Sequence, residues 1–162
     1  MTDDRRISSN MEDYLEAIAT LKKQTGVARV KDIGRLLKVK NPSVNSALNT
    51  LANAGLVTHE RYGYTDLTQE GEILARDVMD RHHTLVKFFT MILGVDPQTA
   101  EVDACRMEHS MSKEGFERMS TFIDFIESCP ENEQPDWLKN FDYYVKTGKR
   151  VRSITRNKPV KG

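Results

Sequence analysis

The sequence has little cysteine, no long hydrophobic run and no net charge, and each shortage excludes a class of protein. Only Cys105 and Cys129 occur, and in a reducing compartment two such residues are better interpreted as thiols than as a disulfide. No apolar run approaches the roughly 20 residues of a membrane-spanning helix. The first ten residues lack the apolar stretch of a secretory signal. We therefore expect a cytoplasmic protein.

The net charge is zero, but the charged residues are strongly segregated by sign along the chain. The 24 Lys and Arg residues cancel the 24 Asp and Glu residues. Residues 22–61 carry eight basic side chains and two acidic ones, residues 95–136 carry three basic and eleven acidic ones, and residues 145–162 carry seven basic and no acidic ones. A single stretch of this kind is as well explained by a solvated helix face. The alternation of sign predicts polyanion binding at one place and cation binding at another.

Apolar periodicity predicts a mainly α-helical protein with one short hairpin. A chain of 162 residues can bury one good core or two small ones. The spacing of apolar residues, with Gly and Pro at the breaks, predicts helices at residues 11–23, 30–37, 42–54, 68–93 (with a bend near His82), 98–111, 113–128 and 137–144. Two β-prone runs, 56–59 and 64–68, predict the hairpin.

Helix, short turn, second helix and hairpin follow one another in the order of a winged helix-turn-helix. We therefore predict a winged-helix DNA-binding domain over residues 1–71. The helices of residues 72–145 predict an all-helical second domain. We expect it to mediate dimerisation, because its apolar residues, among them Met91 and Phe125, exceed what one small helical layer would bury, and metal binding is assigned to the same domain on the ligand residues described below. We expect residues 146–162 to be a basic, disordered tail.

The helix at residues 42–54 is predicted to read DNA. The face opposite its apolar stripe carries short hydrogen-bonding groups and no acid, which suits base edges and phosphates in the major groove. Basic residues before this helix would meet backbone phosphates, and the hairpin tip would reach a neighbouring phosphate or the minor groove. The predicted DNA contacts are Arg35, Lys38, Lys40, Asn41, Pro42, Ser43, Asn45, Ser46, Asn49, Arg61 and Tyr62. Such a unit makes few contacts, so useful affinity requires a homodimer on a palindromic double-stranded site.

Metal-ligand residue types recur at helical spacing in the acidic region. Cys105, Glu108 and His109 stand at i, i+3 and i+4, so one helix face would present a half-site for a first-row metal. The first predicted helix offers two carboxylates at i and i+3, and the long helix offers a histidine. The full predicted ligand set is Asp13, Glu16, His82, Cys105, Glu108 and His109. By itself a Cys-x-x-Glu-His pattern is more often a surface coincidence than a ligand set.

Three segments together resemble the diphtheria-toxin-repressor family of iron- and manganese-dependent regulators. They are Met11-Glu-Asp-Tyr-Leu-Glu16, Arg81-His82 and Asp103-Ala-Cys-Arg-Met-Glu-His-Ser-Met-Ser112, and the similarity spans about residues 8–128. The resemblance implies a winged-helix domain, a helical dimerisation domain and metal-activated operator binding that represses metal uptake. We do not expect the SH3-like domain of the longer members, for which 162 residues leave no room.

The same resemblance implies a hybrid ligand set. The manganese-type members match this chain at Asp13, Glu16, His82, Glu108 and His109. They carry a bridging carboxylate at the position of Cys105, whereas the iron-type members carry cysteine there but methionine in place of Asp13. The ancillary site of the iron-type members is matched only at His82, with Val86 and Glu101 at its other positions. Because carboxylates favour Mn(II) or Fe(II) and a thiolate strengthens Fe(II), Co(II) and Zn(II), the expected cofactor is Mn(II) or Fe(II), with one or two ions per subunit.

These features predict a metal-dependent repressor of metal-homeostasis genes and not an enzyme. The hypothesis is that metal ties the first helix to the dimerisation helices and so fixes the spacing of the two recognition helices, while acidic repulsion loosens them without metal. One alternative is a metal-independent winged-helix regulator that senses a small molecule or thiol oxidation. A metalloenzyme is the other, because Cys-x-x-Glu-His superficially resembles an inverted zinc-protease motif, but it would leave the helix-turn-helix unexplained.

Overall fold

The computed structural model describes residues 7–59, 64–129 and 135–150. Its helices are α1 (Ser9–Thr25), α2 (Val30–Leu36), α3 (Asn41–Asn53), α4 (Gln69–Lys87), α5 (Pro97–Met107), α6 (Lys113–Glu127) and α7 (Asp136–Thr147). The strands are β1 (Val57–His59) and β2 (Thr65–Leu67), and a π-helical segment, Phe88–Ile92, continues α4. The predicted fold class, mainly α with a winged helix-turn-helix before a helical region, is confirmed.

A first core lies among α1, α2, α3 and the hairpin. Its fully buried side chains include Leu15, Ile18, Ile33, Leu48 and Leu51. These residues belong to the apolar stripes on which the helices were predicted, so each helix turns its stripe inward. As a consequence, α3 presents its polar face to solvent.

The wing is an antiparallel hairpin in which Val57 pairs with Leu67 and His59 with Thr65. An isolated bridge from Ala28 to Thr65 attaches the α1–α2 connection to the same strand. The tip, residues 60–63, lies outside the described residues, and the predicted contacts Arg61 and Tyr62 lie there.

The start of α4 is fixed against the end of the winged-helix region. The Thr68 hydroxyl oxygen accepts a hydrogen bond from the Gly71 N–H at 3.1 Å, as an N-cap, and donates to the Gly55 carbonyl at 2.7 Å. A Cβ at Gly71 would overlap the carbonyl oxygen of Leu56. Only glycine permits this approach of helix to backbone.

A second, smaller core joins the π-helical segment, α6 and α7 through Ile92, Ile123, Ile126 and Leu138. The predicted bend near His82 differs from the structure, because α4 is regular through Lys87 and the irregularity follows it. No helix in residues 7–59, 64–129 and 135–150 is both long enough and apolar enough to cross a membrane. Helix α7 continues to Thr147, two residues into the segment expected to be a tail, and residues 151–162 lie outside the described ranges.

Candidate DNA-binding surface and metal centre

Helix α3 offers a continuous polar surface. Val44 and Leu48 are buried on its inner side. The predicted DNA contacts that the structure describes are all exposed: Arg35, Lys38, Lys40, Asn41, Pro42, Ser43, Asn45, Ser46 and Asn49. The surface carries basic residues before the helix and amide or hydroxyl groups along it, which is the chemistry that phosphates and base edges require.

The turn between α2 and α3 is tight. A Cβ at the buried Gly34 would lie 3.0 Å from the Val39 carbonyl oxygen, and Lys38 adopts a φ of 56°. Left-handed backbone is uncommon for a residue other than glycine, and here it lets the chain reverse within a few residues. The reversal packs α3 against α2 and leaves the polar face of α3 exposed to solvent.

Asp13, Glu108 and His109 form a cluster of metal-ligand groups. One ligand atom from each lies within 4.8 Å of the others. The Nε2 atom of His109 is 2.9 Å from Asp13 Oδ1 and 3.2 Å from Glu108 Oε1. Asp13 belongs to α1, whereas Glu108 and His109 follow α5, so the cluster joins the winged-helix region to the helices after it.

Glu108 is the buried centre of this cluster, with none of its side chain exposed. Its Oε2 accepts a hydrogen bond from His82 Nδ1 at 2.7 Å. Its Oε1 makes no hydrogen bond with any of the described residues. A buried carboxylate oxygen without a hydrogen bond is rare because desolvation is costly. Two carboxylates and an imidazole around such an atom suit a divalent first-row cation.

His82 extends the site on the side away from α1. Its Nε2 lies 2.7 Å from Glu101 Oε2, while its Nδ1 faces Glu108. The hydrogen bond to Glu108 raises the pKa of His82 to about 9, helped by Glu101 and opposed by burial. The imidazole is thus held by carboxylates on both sides.

Glu16 and Cys105 lie in the same negative field but outside the cluster of three. Burial raises the pKa of Glu16, and the charge of Glu108 raises it further. Partial desolvation of the sulfur raises the pKa of the Cys105 thiol, and the charges of Glu108 and Asp13 raise it further. Cys105 is a free, exposed cysteine. Among the described residues, the structure therefore gathers three of the predicted ligands closely, with His82 bonded to one of them.

One local prediction needs correction, because Cys105, Glu108 and His109 do not share a single helix. Helix α5 ends at Met107, and Glu108 is its C-cap. His109 lies in the turn that follows. Since Ser112 already caps α6 by accepting the Gly115 N–H at 3.1 Å, the chain has only a few residues in which to reverse. The turn brings the His109 imidazole against α1.

Three charged residues in and around the site were not among the predicted ligands. Glu12 on α1 forms an ion pair with Arg81 on α4, with 3.9 Å between Glu12 Oε1 and Arg81 Nη1. The third residue, Glu101, contacts His82. The sequence pattern could have identified two of them, Glu12 and Arg81. Glu12 stands three residues before Leu15, and Arg81 three residues after Val78, so both charges fall on buried apolar stripes.

Comparison with known protein families gives two matches that cover most of the chain. Residues 6–64 match the family described as iron dependent repressor, N-terminal DNA binding domain. Residues 68–136 match iron dependent repressor, metal binding and dimerisation domain. The boundary between the two matches falls at the hairpin, before α4.

Individual relatives agree with these matches. An uncharacterised helix-turn-helix transcriptional regulator of Methanocaldococcus jannaschii is 33% identical over 73% of this chain and 95% of its own length. The HTH-type transcriptional regulator MntR of Lysinibacillus sphaericus is 33% identical over 82% of this chain and 91% of its own length.

Solved structures show a similar fold. IdeR of T. acidophilum has a TM-score of 0.63 and 28% identity, and the match covers 70% of this chain and 53% of that chain. The manganese regulator SloR has a TM-score of 0.65 and 27% identity, with 76% and 58% covered. The chain thus spans between half and three-fifths of the length of these two structures.

Proposed function

The chain belongs to the iron-dependent repressor family of metal-dependent transcriptional regulators, which are not enzymes, and we propose that it represses metal-homeostasis genes by binding operator DNA when metal-loaded. We assign residues 1–71 to DNA binding and residues 72–145 to metal binding and dimerisation. The operator is proposed to be palindromic and bound by a homodimer, since one winged helix makes few base contacts.

The observation that carries this proposal is the position of Asp13 beside Glu108 and His109. Asp13 lies on α1, whose apolar side packs in the same core as α3. A bound cation would supply coordination bonds between α1 and the turn after α5. Asp13, Glu108 and His109 would hold it, and Glu16, His82 and Cys105 complete the proposed ligand set. The ligands come from both halves of the chain, so their occupancy favours one arrangement of α3 relative to the dimerisation helices.

We propose Mn(II) or Fe(II) as the metal, with one or two ions per subunit. The cluster of Asp13, Glu108 and His109 is rich in oxygen, which suits both ions. The similar structure SloR is described as a manganese regulator, and the family is described as iron dependent. Metal analysis of protein reconstituted without oxygen would give both identity and stoichiometry.

The regulatory switch is tested by gel shift on a duplex selected from a random pool with Mn(II)-loaded protein. We expect wild-type protein to bind about 10–100-fold more tightly with Mn(II) or Fe(II) than with chelator. His109→Ala should lose this difference. His83→Ala is the matched control, because His83 is exposed, lies outside the proposed ligand set and contacts residues of its own helix, at the Met79 carbonyl and at the edge of the His82 ring. It should keep the full metal response.

Equal DNA binding by wild type and His109→Ala, with and without metal, would contradict the proposed switch. Binding retained in chelator but lost on oxidation would favour a metal-independent thiol sensor instead. The raised pKa of Cys105 argues against that alternative, since a thiol that resists ionisation reacts slowly with oxidants.

A further inference from the structure

Glu12 is a buried carboxylate that the proposed ligand set does not include. Only 2% of the residue is exposed. Its Oε2 accepts a hydrogen bond from His109 Nδ1 at 2.6 Å, and its Oε1 lies 3.9 Å from the guanidinium of Arg81. Both contacts cross from α1 to elements of the second half of the chain, so burial of this acid depends on groups that the helix itself does not supply.

The contact with Glu12 decides which nitrogen of His109 faces the cluster. Both ring nitrogens lie against carboxylates, Nδ1 against Glu12 and Nε2 against Asp13. With a cation bound to the Asp13 and Glu108 oxygens, the carboxylate at Nδ1 would favour a proton on that atom and leave the lone pair of the neutral ring on Nε2. Nε2 is the atom that lies 2.9 Å from Asp13 Oδ1 and 3.2 Å from Glu108 Oε1. The ring is therefore turned with Nε2 toward the ligand oxygens and Nδ1 toward Glu12.

Glu12 itself is directed away from the cluster. Its Oε2 accepts from His109 Nδ1, the ring nitrogen away from Asp13 and Glu108, and its Oε1 lies 3.9 Å from Arg81 Nη1, an ion pair too long for a hydrogen bond. It is also not a member of the group whose ligand atoms lie within 4.8 Å of one another. Its geometry is that of an outer partner that orients a histidine ligand.

We propose that Glu12 is a positioning residue that holds His109 as the Nδ1–H tautomer, with Nε2 presented to the metal, and that Arg81 fixes Glu12 in place. This inference rests on the proposed metal-binding function. Because outer partners of this kind typically change metal affinity by about 10–100-fold, Glu12→Ala should weaken Mn(II) binding by that factor. Glu12→Gln, which keeps the size and one acceptor oxygen, should weaken it less.

The test measures Mn(II) affinity by competition with a fluorescent chelator in full-length protein. The variants are Glu12→Ala, Glu12→Gln and the control Glu117→Ala, which removes an exposed carboxylate on α6. Thermal unfolding identifies any variant that fails to fold, and Glu12→Gln then carries the test. The expected order of affinity is wild type and Glu117→Ala first, Glu12→Gln next and Glu12→Ala last.

A second measurement separates positioning from general destabilisation. Nitrogen-15 NMR of the Zn(II)-loaded protein reports which ring nitrogen of His109 carries the proton. We expect Nδ1–H in wild type and Glu117→Ala, and a mixture of tautomers or coordination through Nδ1 in Glu12→Ala. Wild-type affinity together with an unchanged tautomer in Glu12→Ala would overturn the inference. Failure of the wild type to bind Mn(II) would instead overturn the proposed function.

Discussion

The stability of the protein should depend on pH through His82, which lies between two carboxylates. Each of its ring nitrogens is 2.7 Å from a carboxylate oxygen, of Glu108 on one side and Glu101 on the other. The hydrogen bond to Glu108 is the main reason that the pKa of His82 is raised to about 9. The folded value exceeds the unfolded value of 6.5, so the native state binds this proton more tightly than the unfolded chain does.

We predict that chelator-treated protein loses stability as pH rises. The contribution of His82 is fully present below pH 6.5 and is lost as pH rises through about 9. After allowance for solvent screening, we expect a loss of about 1–2 kcal/mol in the free energy of unfolding. Urea unfolding at a series of pH values measures it. His82→Gln should flatten the profile and His83→Ala should not, and equal profiles in wild type and His82→Gln would contradict the assignment.

Cys105 is the residue through which the metal preference is best examined. We predict that Co(II) bound to the wild-type protein shows a near-ultraviolet sulfur-to-metal absorption band, because thiolate ligation gives such a band, and that Cys105→Ser loses it. The substitution should weaken Co(II) and Zn(II) binding by about 10-fold or more and Mn(II) binding less, since Mn(II) prefers oxygen. Cys129→Ser is the control. No band in the wild type would remove Cys105 from the ligand set.

The junction of the winged helix with α4 depends on one close approach. We predict that Gly71→Ala lowers the free energy of unfolding by about 1–3 kcal/mol, because a Cβ would overlap the Leu56 carbonyl and the backbone must shift. Urea unfolding measures the loss. Ile73→Ala is the matched control on the same helix, since 56% of Ile73 is exposed. A Gly71→Ala variant as stable as wild type would show that α4 can move without cost.

The presence of each helix was easier to predict from the sequence than the residue at which it ends. The α3 stripe of Val44, Leu48 and Leu51 fixed both the helix and its exposed face, because helical periodicity is a local property. The end of α5 at Met107 was not predicted. It depends on the Ser112 cap of the next helix and on the attachment of His109 to α1, which are contacts beyond one helix.

At the scale of the whole molecule, exposed apolar side chains of the second half of the chain predict the dimer. Phe125 and Met91 are exposed at 57% and 43%, although both lie in the region matched as a dimerisation domain. We predict that Phe125→Glu raises the dimer dissociation constant by at least about 10-fold, because buried aromatic anchors dominate such interfaces. Sedimentation velocity measures it. Leu36→Glu, at an exposed apolar residue of α2, should leave the dimer intact, and an unchanged dimer in Phe125→Glu would place the interface elsewhere.

The sequence by itself determined the helices, the hairpin, the polar face of α3 and the kinds of side chain that a metal would meet, because periodicity and residue chemistry act locally. Only the tertiary structure decided which of those side chains come together. Asp13, Glu108 and His109 meet because α1 packs against α4 and α4 packs against α5, and spacing along one helix carries no information about that packing. For the same reason Glu12, a single buried acid in an apolar stripe, acquires a partner 97 residues away.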